Sequence, residues 1–194
     1  MLLMKKSFLI FPLLIFSANI IFAQIEDAKS EEMSAWMDYL KPGPMHEFMA
    51  TFSGDWKTIN KYWMDPAREP MVTEGTSSTE MILGGRYQLS KHTGNVMGMP
   101  MEGMWIMGFD NVTQEFTAIW IDNMGTGTAI AKGKYDESTK TISMDGNMID
   151  PISKADMKFK QYFKMIDNDK FKIEMNLDFN GEEFKSMEIE FIRQ

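Results

Sequence analysis

The chain has 194 residues, a formal net charge of −8, no cysteine, and 44% hydrophobic residues. That is an ordinary size for one domain with a real core, and the acidity argues against nucleic acid or anionic lipid headgroups as partners. Without cysteine there is no disulfide and no thiol for a lipid anchor, so packing alone must hold the fold.

Lys5 and Lys6 precede an unbroken apolar run from Phe8 to Phe16, and Ile21-Phe22-Ala23 ends on a small residue. This is the pattern of a secretory signal peptide, too short and too interrupted for a spanning helix. Cleavage after Ala23 is expected, releasing a soluble chain to the periplasm or the medium. N-terminal sequencing of exported protein should then begin at or beside Gln24, and an intact Met1 would overturn the assignment. The leader carries Lys5 and Lys6 and no acid, so its loss takes the net charge from −8 to −10. The remaining chain reads as a helical segment over 24–54 and a β-barrel domain over 55–194.

Ser30, Glu31 and Glu32 open a helix in which Met33, Trp36, Met37 and Leu40 share one face, and Pro42-Gly43-Pro44 stops it. Met45, Phe48, Met49 and Phe52 repeat the spacing up to Gly54. Neither polar side is rich in Lys or Arg, so both stripes read as seats on a core rather than on a membrane surface.

After Gly54 the period changes from that of a helix to that of a strand. Strands are predicted at 55–64, 71–82, 85–91, 102–110, 114–122, 127–135, 140–149, 156–166, 170–179 and 184–193. Phe171, Ile173, Met175, Leu177 and Phe179, for example, alternate with Lys172, Glu174, Asn176 and Asp178. Short turns such as Asp110-Asn111, Asp167 to Asp169 and Asn180-Gly181 join them as hairpins. With no helix between strands, parallel crossovers are excluded. The expected fold is all-β, an antiparallel up-and-down barrel of about ten strands, which closes to remove its edges. The polar faces carry Lys, Glu and Asp at high density, so no lipid-facing band is left for an outer-membrane barrel. The strands at 102–110 and 114–122 are apolar on both faces, which predicts a cover outside the barrel, with the two helical stripes as candidates.

Several pieces resemble a bacterial secreted family known as domain of unknown function 1579. They are Pro44-Met45-His46, Gly54-Asp55-Trp56, Tyr62-Trp63-Met64-Asp65-Pro66, Ile82-Leu83-Gly84-Gly85-Arg86-Tyr87, Gly103, Gly108-Phe109-Asp110, and the run from Trp120 to Gly127. The resemblance spans roughly residues 33–192. It implies a calycin-like barrel, akin to lipocalins, fatty-acid-binding proteins and nitrobindins, with an interior able to hold one small ligand and no assigned activity. Nitrobindin-like relatives bind haem through a His late in the chain. Here the only histidines are His46 and His92, so haem by that route is not expected.

No nucleophile elbow, HExxH or P-loop is present. His46, beside Glu47, reads as a solvent-facing or helix-capping residue. Asp110 and Asp122 stand at strand ends, where an Asp bonding its own backbone explains them better than a glycosidase-like pair. Met97-Gly98-Met99-Pro100-Met101, with Trp105 behind it, offers soft thioethers that select Cu(I). Against a site stand nineteen Met and only four Leu after residue 23, so Met serves generally as core filler. Trp56, Tyr62, Arg86, Trp105, Trp120 and Asp122 are the candidate ligand contacts, an apolar lining with polar anchors. The leading expectation is therefore a barrel that binds a small apolar or amphipathic molecule and uses no cofactor. A Cu(I)-binding protein with Met97, Met99 and Met101 as ligands, and an enzyme built on the barrel, are the alternatives.

Overall fold

In the computed structural model the described residues are 29–179 and 182–194, so the expected leader and the Asn180-Gly181 turn lie outside them. Residues 29–39 are helical (α1), with Met33, Trp36, Met37 and Leu40 exposed. No helix among the described residues is long and apolar enough to cross a membrane. The second unit, Pro42–Gln194, contains a short helix and ten strands.

α2 is Pro44–Ala50, and the strands are β1 (Gly54–Tyr62), β2 (Met71–Ile82), β3 (Tyr87–Val96), β4 (Met99–Asp110) and β5 (Glu115–Asp122). They continue with β6 (Ala129–Asp136), β7 (Thr141–Ile149), β8 (Asp156–Asp167), β9 (Lys170–Phe179) and β10 (Glu182–Arg193). Every strand pairs antiparallel with its neighbours in sequence, and β1 pairs with β10 to close the ring. This is the antiparallel up-and-down barrel that the period-2 alternation predicts.

One hairpin differs from expectation. Gly94, Gly98 and Pro100 suggest a loop over 92–101, yet β3 and β4 run on to a two-residue turn at Met97-Gly98. Both turn residues have positive φ, 53° and 82°, as hairpin turns of this length require. Asn95 and Pro100 form the non-hydrogen-bonded pair next to the turn, so the proline nitrogen faces away from β3. β5 reaches only to the level of Gly103 there, so the ladder loses no donor.

The predicted helical cover is present, as a cap on one end of the barrel rather than along the outer wall of β4 and β5. α2 seats its apolar stripe in one end of the barrel. Met49 and Phe52 are buried, Phe52 meets Phe163 and Phe171 edge-on at 4.7 and 5.1 Å, and Phe48 lies 4.7 Å from Tyr135. Gln88 at the start of β3 donates to the Met49 carbonyl at 2.9 Å. His46 is buried and caps the helix, its Nδ1 accepting the Gly43 N–H at 2.9 Å. Outside, Leu89, Ile106, Ile119 and Ile130 form one cross-strand row over β3 to β6, with Ile130 exposed.

The plugged end holds an aromatic stack. Phe171 lies between Phe163 and Phe191, stacked at 4.8 and 4.1 Å, with Trp56 edge-on at 4.8 Å. Arg193 fastens the seam, donating to the carbonyls of Ser53 and Thr51 at 2.9 Å and lying 4.1 Å over the Trp56 ring. On the outer face of the same seam, Glu188 accepts from Lys61 and Lys185 at 2.8 Å each.

Candidate functional site

α2 fills one end, and among the described residues the space inside the ring extends towards the other, where Tyr62, Val96, Met101, Asp122, Met124 and Met148 stand. Between this mouth and the Phe52 floor lies a cavity of about 330 Å³. The period-2 rule determines which residues face it, and the ring register determines their depth. Ser90, Trp105, Trp120 and Ala129 form one inward row, and His92, Gly103 and Asp122 form the row nearer the mouth.

Gly103 is required at its position. A Cβ built there would lie 2.4 Å from the Trp120 ring, so the indole lies against bare backbone. From that position Trp120 Nε1 donates to Asp122 Oδ2 at 2.5 Å, while Asp122 Oδ1 accepts the Met124 N–H at 2.9 Å. Gly103→Ala should therefore swing Trp120 off the wall. Its fluorescence should shift to the red as the indole meets water, and an unchanged spectrum would show that the ring is held elsewhere.

His92 lies edge-on to Trp120 at 5.2 Å and to Phe191 at 5.9 Å. Burial pushes its imidazole down to about 4, so it is neutral at pH 7. Tyr62 is pushed up, first by burial and then by the Asp122 carboxylate. Trp105 is 7% exposed, and its Nε1 has no hydrogen-bond partner among the described residues.

Of the residues that the sequence suggests, Tyr62, Trp105, Trp120 and Asp122 come together at this cavity. Trp56 faces inward but belongs to the stack at the plugged end, where its Nε1 donates to the Phe52 carbonyl at 3.0 Å. Arg86 is exposed on the β2–β3 turn beside α2 and donates to the carbonyls of Leu83 and Gly84. It stands at the far end from the mouth. Met101 lines the cavity, whereas Met97 is 58% and Met99 49% exposed on their hairpin. Asp110 pairs with Glu115 at the plugged end and Asp122 with Gly103 near the mouth, so the two acids form no dyad. Each accepts a backbone N–H two residues on, as a turn aspartate does.

His92 is among the cavity residues that sequence reasoning missed, with Thr79, Gln88, Ser90 and Gln161. The available signal was parity: Gln88, Ser90 and His92 form a polar inward face against Leu89 and Lys91 outside.

Among solved structures, the chain is similar to Rv2717c from M. tuberculosis, with a TM-score of 0.58 at 12% identity. The match covers 79% of this chain and 99% of that one, and it is a likeness of fold. A search of the curated proteins finds no match. The profile of the family described as "Protein of unknown function (DUF1579)" matches residues 41–193, from just before α2 to the end of β10, and the chain belongs to that family.

Proposed function

We propose that this barrel is a binding protein that takes one small apolar or amphipathic molecule into its interior. One observation carries the reading: an apolar cavity, open at one end, into whose wall a buried indole N–H is built without a partner. Buried donors are nearly always satisfied, and a neutral donor in an apolar wall is what a ligand site supplies for orientation.

An apolar fluorescent probe should bind the native protein saturably, at about one per chain. Ala129→Phe, which places a ring in the row beside Trp120, should abolish that binding without unfolding the barrel. Absent or non-saturating binding, or binding that survives Ala129→Phe, would leave a scaffold that acts through its surface.

A second reading is a soft-metal site, favoured by the thioethers of Met101, Met124, Met148, Met175 and Met187 along the cavity. A site on the hairpin would saturate near one equivalent of Cu(I) and be lost on changing Met97, Met99 and Met101 together to Leu, with stability little altered. Because Met97 and Met99 stand outside the cavity, the expected result is weak, non-saturating uptake that survives the triple change.

A further inference from the structure

We propose, resting on the ligand-binding reading above, that the ligand is uncharged and apolar, with about ten non-hydrogen atoms, and that it presents one oxygen acceptor to the Trp105 indole. The size follows from the 330 Å³ cavity at roughly 30 Å³ for each methylene- or water-sized group.

The acceptor follows from what the wall leaves unbonded. Thr79 and Ser90 hydroxyls bond each other at 2.8 Å, and Gln88 Nε2 is taken by the Met49 carbonyl at 2.9 Å. Trp120 Nε1 is taken by Asp122. Tyr62, His92 and Gln161 also line the cavity, but of its fully buried lining atoms among the described residues the Trp105 Nε1–H is the one without a partner, and an indole nitrogen is a donor only. A carbonyl, ether or hydroxyl oxygen is the complement.

The neutrality follows from the charges. Among the described residues the cavity is lined by no Lys or Arg, and its one carboxylate, Asp122, stands near the mouth. His92 offers no positive charge at neutral pH, since burial opposes its protonation. Lys91, between Ser90 and His92 on β3, is exposed on the outer face, and Arg86 is on the turn beside the plug. A carboxylate carried inside would lose its water and gain no counter-charge. An ammonium group would find one carboxylate, Asp122, and that stands near the mouth rather than beside Trp105.

The test displaces the bound apolar probe from the full chain with methyl octanoate, octanoate, octylamine or nonane at pH 8, and follows the five indole N–H resonances. Methyl octanoate should displace the probe at a concentration at least about tenfold lower than octanoate or octylamine, since one hydrogen bond without a charge to desolvate accounts for that factor. The Trp105 resonance should move downfield with the ester and stay put with nonane. In Trp105→Phe the ester should lose its advantage over nonane, whatever the variant's own affinity for the probe. Should that variant fail to fold, the wild-type resonance decides alone. Octanoate or octylamine matching the ester, or an unmoved Trp105 resonance, would overturn the inference and leave the binding reading standing. A probe that never binds would overturn both.

Discussion

Phe171→Ala should destabilise the barrel by about 3–5 kcal/mol, the range for truncating a buried aromatic ring. Phe171 is 4% exposed and touches Phe52, Phe163, Trp56 and Phe191, so it joins α2, β1, β8, β9 and β10 in one stack. With no disulfide, little else compensates for its loss. Phe171→Leu keeps most of the volume and should lose clearly less. Urea unfolding measures both, and equal losses for Leu and Ala would mean that the stack's ring geometry, not its volume, carries the stability. A loss under about 1 kcal/mol for Ala would show that the plugged end relaxes around the void.

Acid should unfold the protein in two stages. His92 titrates near 4 in the folded barrel against 6.5 for a free imidazole. Its folded value is depressed, so the unfolded chain takes the proton first. Stability is complete above about 6.5 and falls by about 3 kcal/mol as the pH drops to 4. Glu188 adds the second stage. Burial alone would raise its carboxyl, but the hydrogen bonds from Lys185 and Lys61 outweigh burial and hold it at about 2. Its contribution, about 2–3 kcal/mol, is present above the free value of 4.5 and disappears as the pH falls through 2. His92→Phe keeps a ring between Trp120 and Phe191 but has no proton to gain. Its decline between pH 6.5 and 4.5 should be clearly shallower than the wild type's, the remainder coming from His46, which burial also holds below the free imidazole. A variant curve parallel to the wild type would place the titrating group elsewhere. Glu188→Gln should instead lessen the decline below pH 4.5, where Glu174, whose hydrogen bonds from Lys172 and Lys185 outweigh its burial, also contributes.

The barrel was legible in the sequence because alternation is a local signal. Lys158, Lys160 and Lys164 outside and Phe159 and Phe163 inside declare β8 without reference to any partner strand. The β3–β4 hairpin was hidden because Gly94, Gly98 and Pro100 are loop formers in isolation. Their fit depends on where β5 stops, which is a tertiary fact. The site shows the same division. Tyr62, Trp105, Trp120 and Asp122 lie on the inner wall of the cavity, and Trp56 faces inward too. Alternation gives inside or outside but not height, and height separates Trp56 in the plugged stack from Tyr62 at the mouth of the same strand. Arg86 was misjudged for that reason: its turn lies at the α2 end of the ring.

The seam between β1 and β10 makes the order of synthesis matter. Arg193 fastens onto Ser53, a residue 140 positions earlier in the chain, so the ring cannot close until the last strand has been made. Ring closure over such a span is slow, because the ordering entropy of the intervening chain comes before its reward. Until then a growing chain carries two unpaired strand edges, the state most prone to join edges with another molecule. A fragment ending before Glu182 would keep those edges permanently. Truncation at that end should therefore give aggregates rather than a smaller working barrel.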